Sequence, residues 1–140
     1  SGTWDRLLAG ERANLEGRNS NFLVEAPDIT LEPRLAALDL HPTGPMWGVG
    51  DAGVRGAVAE LEEAVVERYP ALLELLRAEG LEPARRPLRA VVRDLALDRP
   101  EAGSGRDLEL RFSLRAGSFA TVVLRELVTL VGVASEEEHA

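Results

Sequence analysis

The stretch from His41 to Gly56 constrains this chain more than any other. His41-Pro42-Thr43-Gly44-Pro45-Met46-Trp47-Gly48 places two prolines and two glycines within eight residues, and Gly50, Gly53 and Gly56 follow. Proline lacks an N–H and fixes φ, and glycine loses the most backbone entropy on ordering. No helix runs through such a segment. It reads as a loop that needs unusual backbone angles, so regular structure has to lie on either side of it.

Before it, residues 1–20 are polar and broken by Gly2, Gly10 and Gly17. They read as loop with a short helical turn over Trp4–Ala9, and Trp4 reads as a core residue. Phe22-Leu23-Val24-Glu25 is predicted to be a short strand. Thr30 is placed to cap a helix starting near Leu31, with Pro33 tolerated in its first turn. After the loop, Val58, Leu61 and Val65 recur at helical spacing and predict a helix over 57–67. Pro70 begins a second helix, running to Ala78, that would bury Leu72, Leu73, Leu75 and Leu76. Gly80 stands where a helix C′ glycine belongs.

Near Leu88 the hydrophobic period changes. Leu88–Leu97 is rich in Val and Leu and reads as a strand. Arg99–Arg106 reads as a turn, with Pro100, Gly103 and Gly105. Residues 108–115, Leu-Glu-Leu-Arg-Phe-Ser-Leu-Arg, alternate apolar and polar without interruption, which marks a half-buried strand. The two runs suit an antiparallel hairpin. Ser118 is placed to cap an apolar helix over 119–131, and Ser135–Ala140 reads as disordered. The expected fold class is α+β: a helical first portion, then strand, strand, helix. A hairpin with one helix makes a thin core and looks like part of a larger sheet.

Charge follows the same division. Residues 1–82 carry 7 Arg against 15 acids, whereas residues 83–125 carry 9 Arg against 5. A net charge of −8 argues against a whole-surface nucleic-acid binder. A locally basic segment still suits a phosphate backbone, or is an ordinary solvated face. The absence of cysteine removes disulfides and thiolate metal sites. No apolar run approaches the roughly 20 residues that span a bilayer. The opening residues carry no signal- or transit-peptide pattern. A cytoplasmic protein is the expectation.

Four stretches in order carry a family resemblance. They are Gly2-Thr3-Trp4-Asp5-Arg6-Leu7-Leu8-Ala9-Gly10 with Ala13-Asn14-Leu15; Asp39-Leu40 running through His41–Gly48; Gly80-Leu81-Glu82 with Arg85-Arg86-Pro87-Leu88-Arg89; and residues 116–127, Ala-Gly-Ser-Phe-Ala-Thr-Val-Val-Leu-Arg-Glu-Leu. The second and fourth are fairly specific, and the ordered set resembles the C-terminal portion of the TruD family of tRNA pseudouridine synthases. The resemblance implies a catalytic fold interrupted by a family-specific insertion (TRUD) domain. Residues 1–88 would belong to the insertion, and residues 89–140 to the catalytic sheet. It also implies isomerisation of uridine to pseudouridine in tRNA, usually at position 13, without a cofactor. A catalytic aspartate would drive cleavage of the glycosidic bond, after which the uracil rotates and rejoins through carbon.

The family's Lys-Asp stretch with that aspartate is absent, as is its Asn-Tyr-x-Gly-x-Gln-Arg-Phe-Gly stretch. None of Asp5, Asp28, Asp39, Asp51, Asp94, Asp98 or Asp107 stands in a matching context. The 140-residue chain alone is therefore expected to be inactive.

The resemblance points to Arg125 as the arginine that pairs with the catalytic aspartate and keeps it ionised. Ser118, Thr121, Arg125 and Thr129 fall on one helical stripe, and an arginine on so apolar a helix needs an anion or water. The competing reading is a plain solvent face. Arg85, Arg86 and Arg89 are candidates for tRNA phosphates or ordinary surface charge. His41, Trp47 and Phe119 are candidates for the RNA cleft, with aromatic faces for stacking. Alternatively, Trp47 plugs its loop and His41 holds a turn. No metal is expected, because only His139 could join His41. The rival functions are a non-catalytic RNA-binding accessory domain and a structural interaction domain.

Overall fold

A computed structural model describes residues 4–99 and 108–128. It is a mixed α+β arrangement of antiparallel sheets and helices, divided into two compact units between Arg89 and Ala90.

The first unit is built on a sheet. Strands β1 (Arg12–Leu15), β2 (Asn21–Leu23), β3 (Leu40–Met46) and β4 (Ala84–Pro87) lie in the order β2-β1-β3-β4, each pair antiparallel. The β1–β2 hairpin turns through Gly17, whose φ of 74° favours glycine. Asn14 secures the turn by donating from Nδ2 to the Arg18 and Ser20 carbonyls, both at 3.0 Å. The core is small: Leu7, Ala13, Val24 and Leu40, with Leu15, Phe22, Leu31 and Leu35 packed around them.

Two sequence expectations change here. Residues 12–15, expected as loop, form β1, and the Gly/Pro segment begins as the interior strand β3. The prolines are tolerated because β3 divides its pairing. It meets β1 over Leu40–Pro42 and β4 over Thr43–Met46, so each proline is paired on one flank only and its missing N–H costs at most one ladder bond. Beyond Met46 the chain becomes a close-packed loop. At Gly48 a Cβ would fall inside the van der Waals shell of the Glu82 carbonyl carbon and the Pro83 nitrogen, and Val49 N–H donates to the Leu81 carbonyl at 2.6 Å.

The helices also differ in detail. Thr30 stands at the N-cap of helix α1 (Leu31–Ala36) as expected, but its side chain makes no cap bond, and Asp28 supplies the acceptor instead. Asp28 Oδ1 accepts from Thr30 N–H at 2.8 Å, Leu31 N–H at 3.0 Å and Thr30 Oγ1–H at 2.6 Å. These donors, the Thr30 hydroxyl foremost, hold its carboxyl below the usual range. Helix α2 (Gly56–Val66) buries Val58 and Val66, while Leu61 and Val65 stay exposed. Its inner face is the row Val58, Glu62, Val66. Helix α3 (Pro70–Ala78) starts on its proline as expected and is followed by Gly80 at φ 62°. None of its residues is buried, and Leu73 and Leu76 are half-covered. Trp4 is exposed.

In the second unit, β5 (Arg93–Asp98) and β6 (Glu109–Ser113) form an antiparallel hairpin with a bulge between Arg93 and Ala96. The strand expected over 88–97 begins later. Residues 84–87 have instead joined the first unit's sheet. β6 keeps its alternation, with Leu110 and Phe112 half-covered. Helix α4 (Ala120–Leu127) has Phe119 as N-cap, with no side-chain cap bond from it, so Ser118 does not hold that place. No residue of this unit is buried among those described. The expected turn residues 100–106, helix positions 129–131, Asp107, His139 and the tail 135–140 lie outside the described residues.

Candidate functional site

The sequence-predicted residues separate into an inward set and an outward set. His41, on β3, is 1% exposed. Its Nε2 lies 2.8 Å from Glu16 Oε2, and Arg89 Nε donates to its Nδ1 at 3.1 Å. Arginine has no acceptor, so Nδ1 presents its lone pair and Nε2 carries the proton towards Glu16. Arg89 also donates from Nη2 to the Leu35 and Leu40 carbonyls, each at 2.7 Å. Burial pushes its guanidinium down from the ordinary value, against the pull of Asp5. The residue at the end of the first unit is thereby tied to α1 and β3.

Arg85, on β4, is equally engaged. Its side chain is 4% exposed. Nε donates to Thr43 Oγ1 at 2.7 Å, and Nη2 to the Thr43 carbonyl at 2.8 Å. A two-pronged pair reaches Glu62, with Nη2 at 2.7 Å from Oε1 and Nη1 at 3.0 Å from Oε2. Thr43 Oγ1–H in turn donates to the Arg12 carbonyl at 2.6 Å. The buried Glu11 carboxyl faces the same cluster. Desolvation pushes it up to about 7, against a Leu8 backbone bond and the attraction of Arg85, and with the repulsion of Glu62. Arg85, Arg89 and His41, the candidates for phosphate and for the RNA cleft, are thus all engaged with partners of the first unit itself. Arg85 spends four of its five donors on Thr43 and Glu62, and Arg89, half-buried, spends three on His41 and the Leu35 and Leu40 carbonyls.

Strand alternation turns Arg86 the other way. It is exposed, and its Nε–H points at Met46 Sδ, 2.9 Å away. Trp47 follows Met46 and is half-covered. In the second unit Phe119 is 68% exposed at the start of α4, and Arg125 is exposed in its last turn. Among the described residues Arg125 makes no ion pair, and no group of His, Asp and Glu side chains is arranged to hold a metal ion. No helix among them is long and apolar enough to cross a membrane.

Glu11, Glu16 and Glu62 went unnoticed in the sequence. Only Glu62 left a signal there: it falls midway between Val58 and Val66, four residues from each, so a carboxylate interrupts the apolar row.

Residues 2–127 match the model of the family described as tRNA pseudouridine synthase D (TruD), and the chain belongs to that family. It is 44% identical to the tRNA pseudouridine synthase D of Pseudomonas putida over 130 residues, 93% of this chain and 36% of that protein. It is 41% identical to the one of Pseudomonas aeruginosa over 136 residues, 97% of this chain and 37% of that protein. The one of Pseudomonas fluorescens is 42% identical over 132 residues, 94% and 36% respectively. The chain thus spans little more than a third of the length of these relatives.

Proposed function

We propose that this chain is the C-terminal part of a synthase that isomerises uridine to pseudouridine in tRNA. The observation that carries the reading is the family match across residues 2–127. Residues 1–88 then belong to the family's insertion domain, and residues 89–140 return to the catalytic sheet. Two features support that division: the break between compact units beside Arg89, and a second unit without a buried residue among those described. A hairpin and helix so uncovered suit the margin of a larger sheet.

In this reading a uridine leaves the tRNA stack to reach the reacting carboxylate. Arg86 meets phosphate, and Trp47 and Phe119 offer faces to unstacked bases. Arg125, exposed and without an ion-pair partner among the described residues, pairs with a catalytic aspartate from the region of the relatives that this chain does not match. A guanidinium beside that carboxylate favours its ionised, nucleophilic form. Arg85, Arg89 and His41 act as supports that hold β4 so that Arg86 faces outward. The compartment that follows from tRNA as substrate is the cytoplasm.

Tritium release from 5-labelled uridine in tRNA tests the proposal. The assay compares the 140-residue chain with a chimera in which it replaces the matching region of the P. aeruginosa relative. The chimera is expected to turn over and the chain alone to be silent. A folded chimera without turnover, or turnover by the chain alone, overturns the reading.

A further inference from the structure

Two carboxylates share one arginine in the interior of the first unit. Glu11 is 5% exposed, and its Oε1 has no hydrogen-bond partner. The Arg85 and Glu62 side chains are 4% and 11% exposed, and they are joined by two bonds of 2.7 and 3.0 Å. Arg85 has five N–H donors. Two go to Glu62 and two to Thr43, and none reaches Glu11 Oε1. The charged groups facing Glu11 are Arg85 from β4 and Glu62 from α2.

We propose that the Glu11–Arg85–Glu62 cluster is a proton-dependent lock on the first unit, closed while Glu11 holds a proton and weakened when it loses one. The reason is charge balance. With Glu11 protonated, the cluster holds one cation and one anion, and buried charge is tolerable when paired. With Glu11 ionised, a second anion competes for the same guanidinium. Any turn of Arg85 towards Glu11 withdraws bonds from Glu62 and Thr43, which tie β4 to α2 and β3. β4 is the strand that carries Arg86, so the lock governs whether the exposed arginine keeps its place. This device stands whether or not the chain acts on tRNA.

The sign of the pH effect follows from linkage. Burial raises the Glu11 carboxyl to about 7. Between the ordinary glutamate range and that value, the folded chain binds more protons than the unfolded one, so stability falls as pH rises through the window and levels off above it.

Two measurements on the 140-residue chain test the lock. In the first, the Glu11 carboxyl is followed by carbon-13 NMR from pH 4 to 9, in the parent sequence and in Glu62→Gln. The parent midpoint is expected near neutrality. In Glu62→Gln, with the rival anion gone and Arg85 released, it should move down while staying above the ordinary glutamate range, because desolvation is the larger cause. In the second, the melting temperature of Glu11→Gln is compared with the parent across the same range. The difference in favour of Gln should grow by several degrees between pH 5 and 8. An ordinary midpoint in the parent, or parallel melting profiles, overturns the proposal. So does a raised midpoint that ignores Glu62→Gln, because that result reports desolvation without a shared arginine.

Discussion

At the scale of single residues, neighbouring arginines have opposite fates. Arg85 and Arg86 are adjacent in sequence, and the pleat of β4 sends one inward and the other to solvent. Their substitutions should separate cleanly. Arg85→Ala strands the Glu62 carboxylate in the interior and should cost about 3–5 kcal/mol, the range for breaking one partner of a buried pair. Arg86→Ala should leave stability within about 0.5 kcal/mol. In the chimera it should lower the salt dependence of tRNA binding by about one counterion. Denaturant unfolding reads the first pair of values, and binding across a salt series reads the third. Equal stability losses at both positions would contradict the pleat assignment, and an unchanged salt slope would take Arg86 off the RNA surface. His41 was legible as a special residue. Its partners Glu16 and Arg89, 25 and 48 residues away in sequence, were not, because no local pattern encodes such a meeting.

Elements were more legible where they depend on short-range rules. Pro70 opens α3 and a left-handed glycine follows its end, as the sequence suggests. The alternation of β6 is visible in both sequence and burial. The rotation of α2 was not visible: Leu61 and Val65 look like its inner face, but Val58, Glu62 and Val66 turn inward, with Glu62 paired to Arg85. The burial pattern sets local stability. β1 and β3 surround the buried core of Ala13, Val24 and Leu40, whereas α3 and the β5–β6 hairpin bury nothing fully. Hydrogen exchange should therefore protect the amides of β1 and β3 by far more than those of α3 and the hairpin. Uniform protection throughout the chain would contradict a core confined to the first sheet. The loop after β3 carries its own test. Gly48→Ala places a methyl against the Glu82–Pro83 backbone and should cost about 1–3 kcal/mol by overpacking. A neutral result would mean that this approach is looser than the geometry.

At the scale of the whole molecule, the second unit presents Leu95, Leu97, Leu108, Val122, Leu127 and Val128 to solvent. Six exposed branched residues in so short a unit suit a surface that packs against more protein. The same surroundings decide the part played by Arg125. In the active chimera, Arg125→Ala should slow the chemical step by about 10²-fold or more, as when a preorganised charge is removed. Binding of tRNA should barely change. Arg125→Lys should restore part of the rate, since an ammonium lacks the planar fork. Single-turnover kinetics decide it. A near-normal rate with weakened binding would move Arg125 from the reacting carboxylate to the RNA surface.

The sequence alone determined the features that arise from neighbours along the chain. These are the helix that opens at Pro70, the alternating strand at 109–113, the change of period near Leu88, and the ordered motifs by which the family was recognised. Each depends on backbone sterics or on spacing within a few residues, so it survives without a third dimension. Tertiary structure alone decided that a proline-bearing segment becomes an interior strand, because the partners that pair it, β1 on one half and β4 on the other, lie far from it in sequence. It also decided which arginines face solvent. Glu62 lies 23 residues from Arg85 in sequence, and the two meet only once the sheet and α2 are assembled, on the same helix face that buries Val58 and Val66.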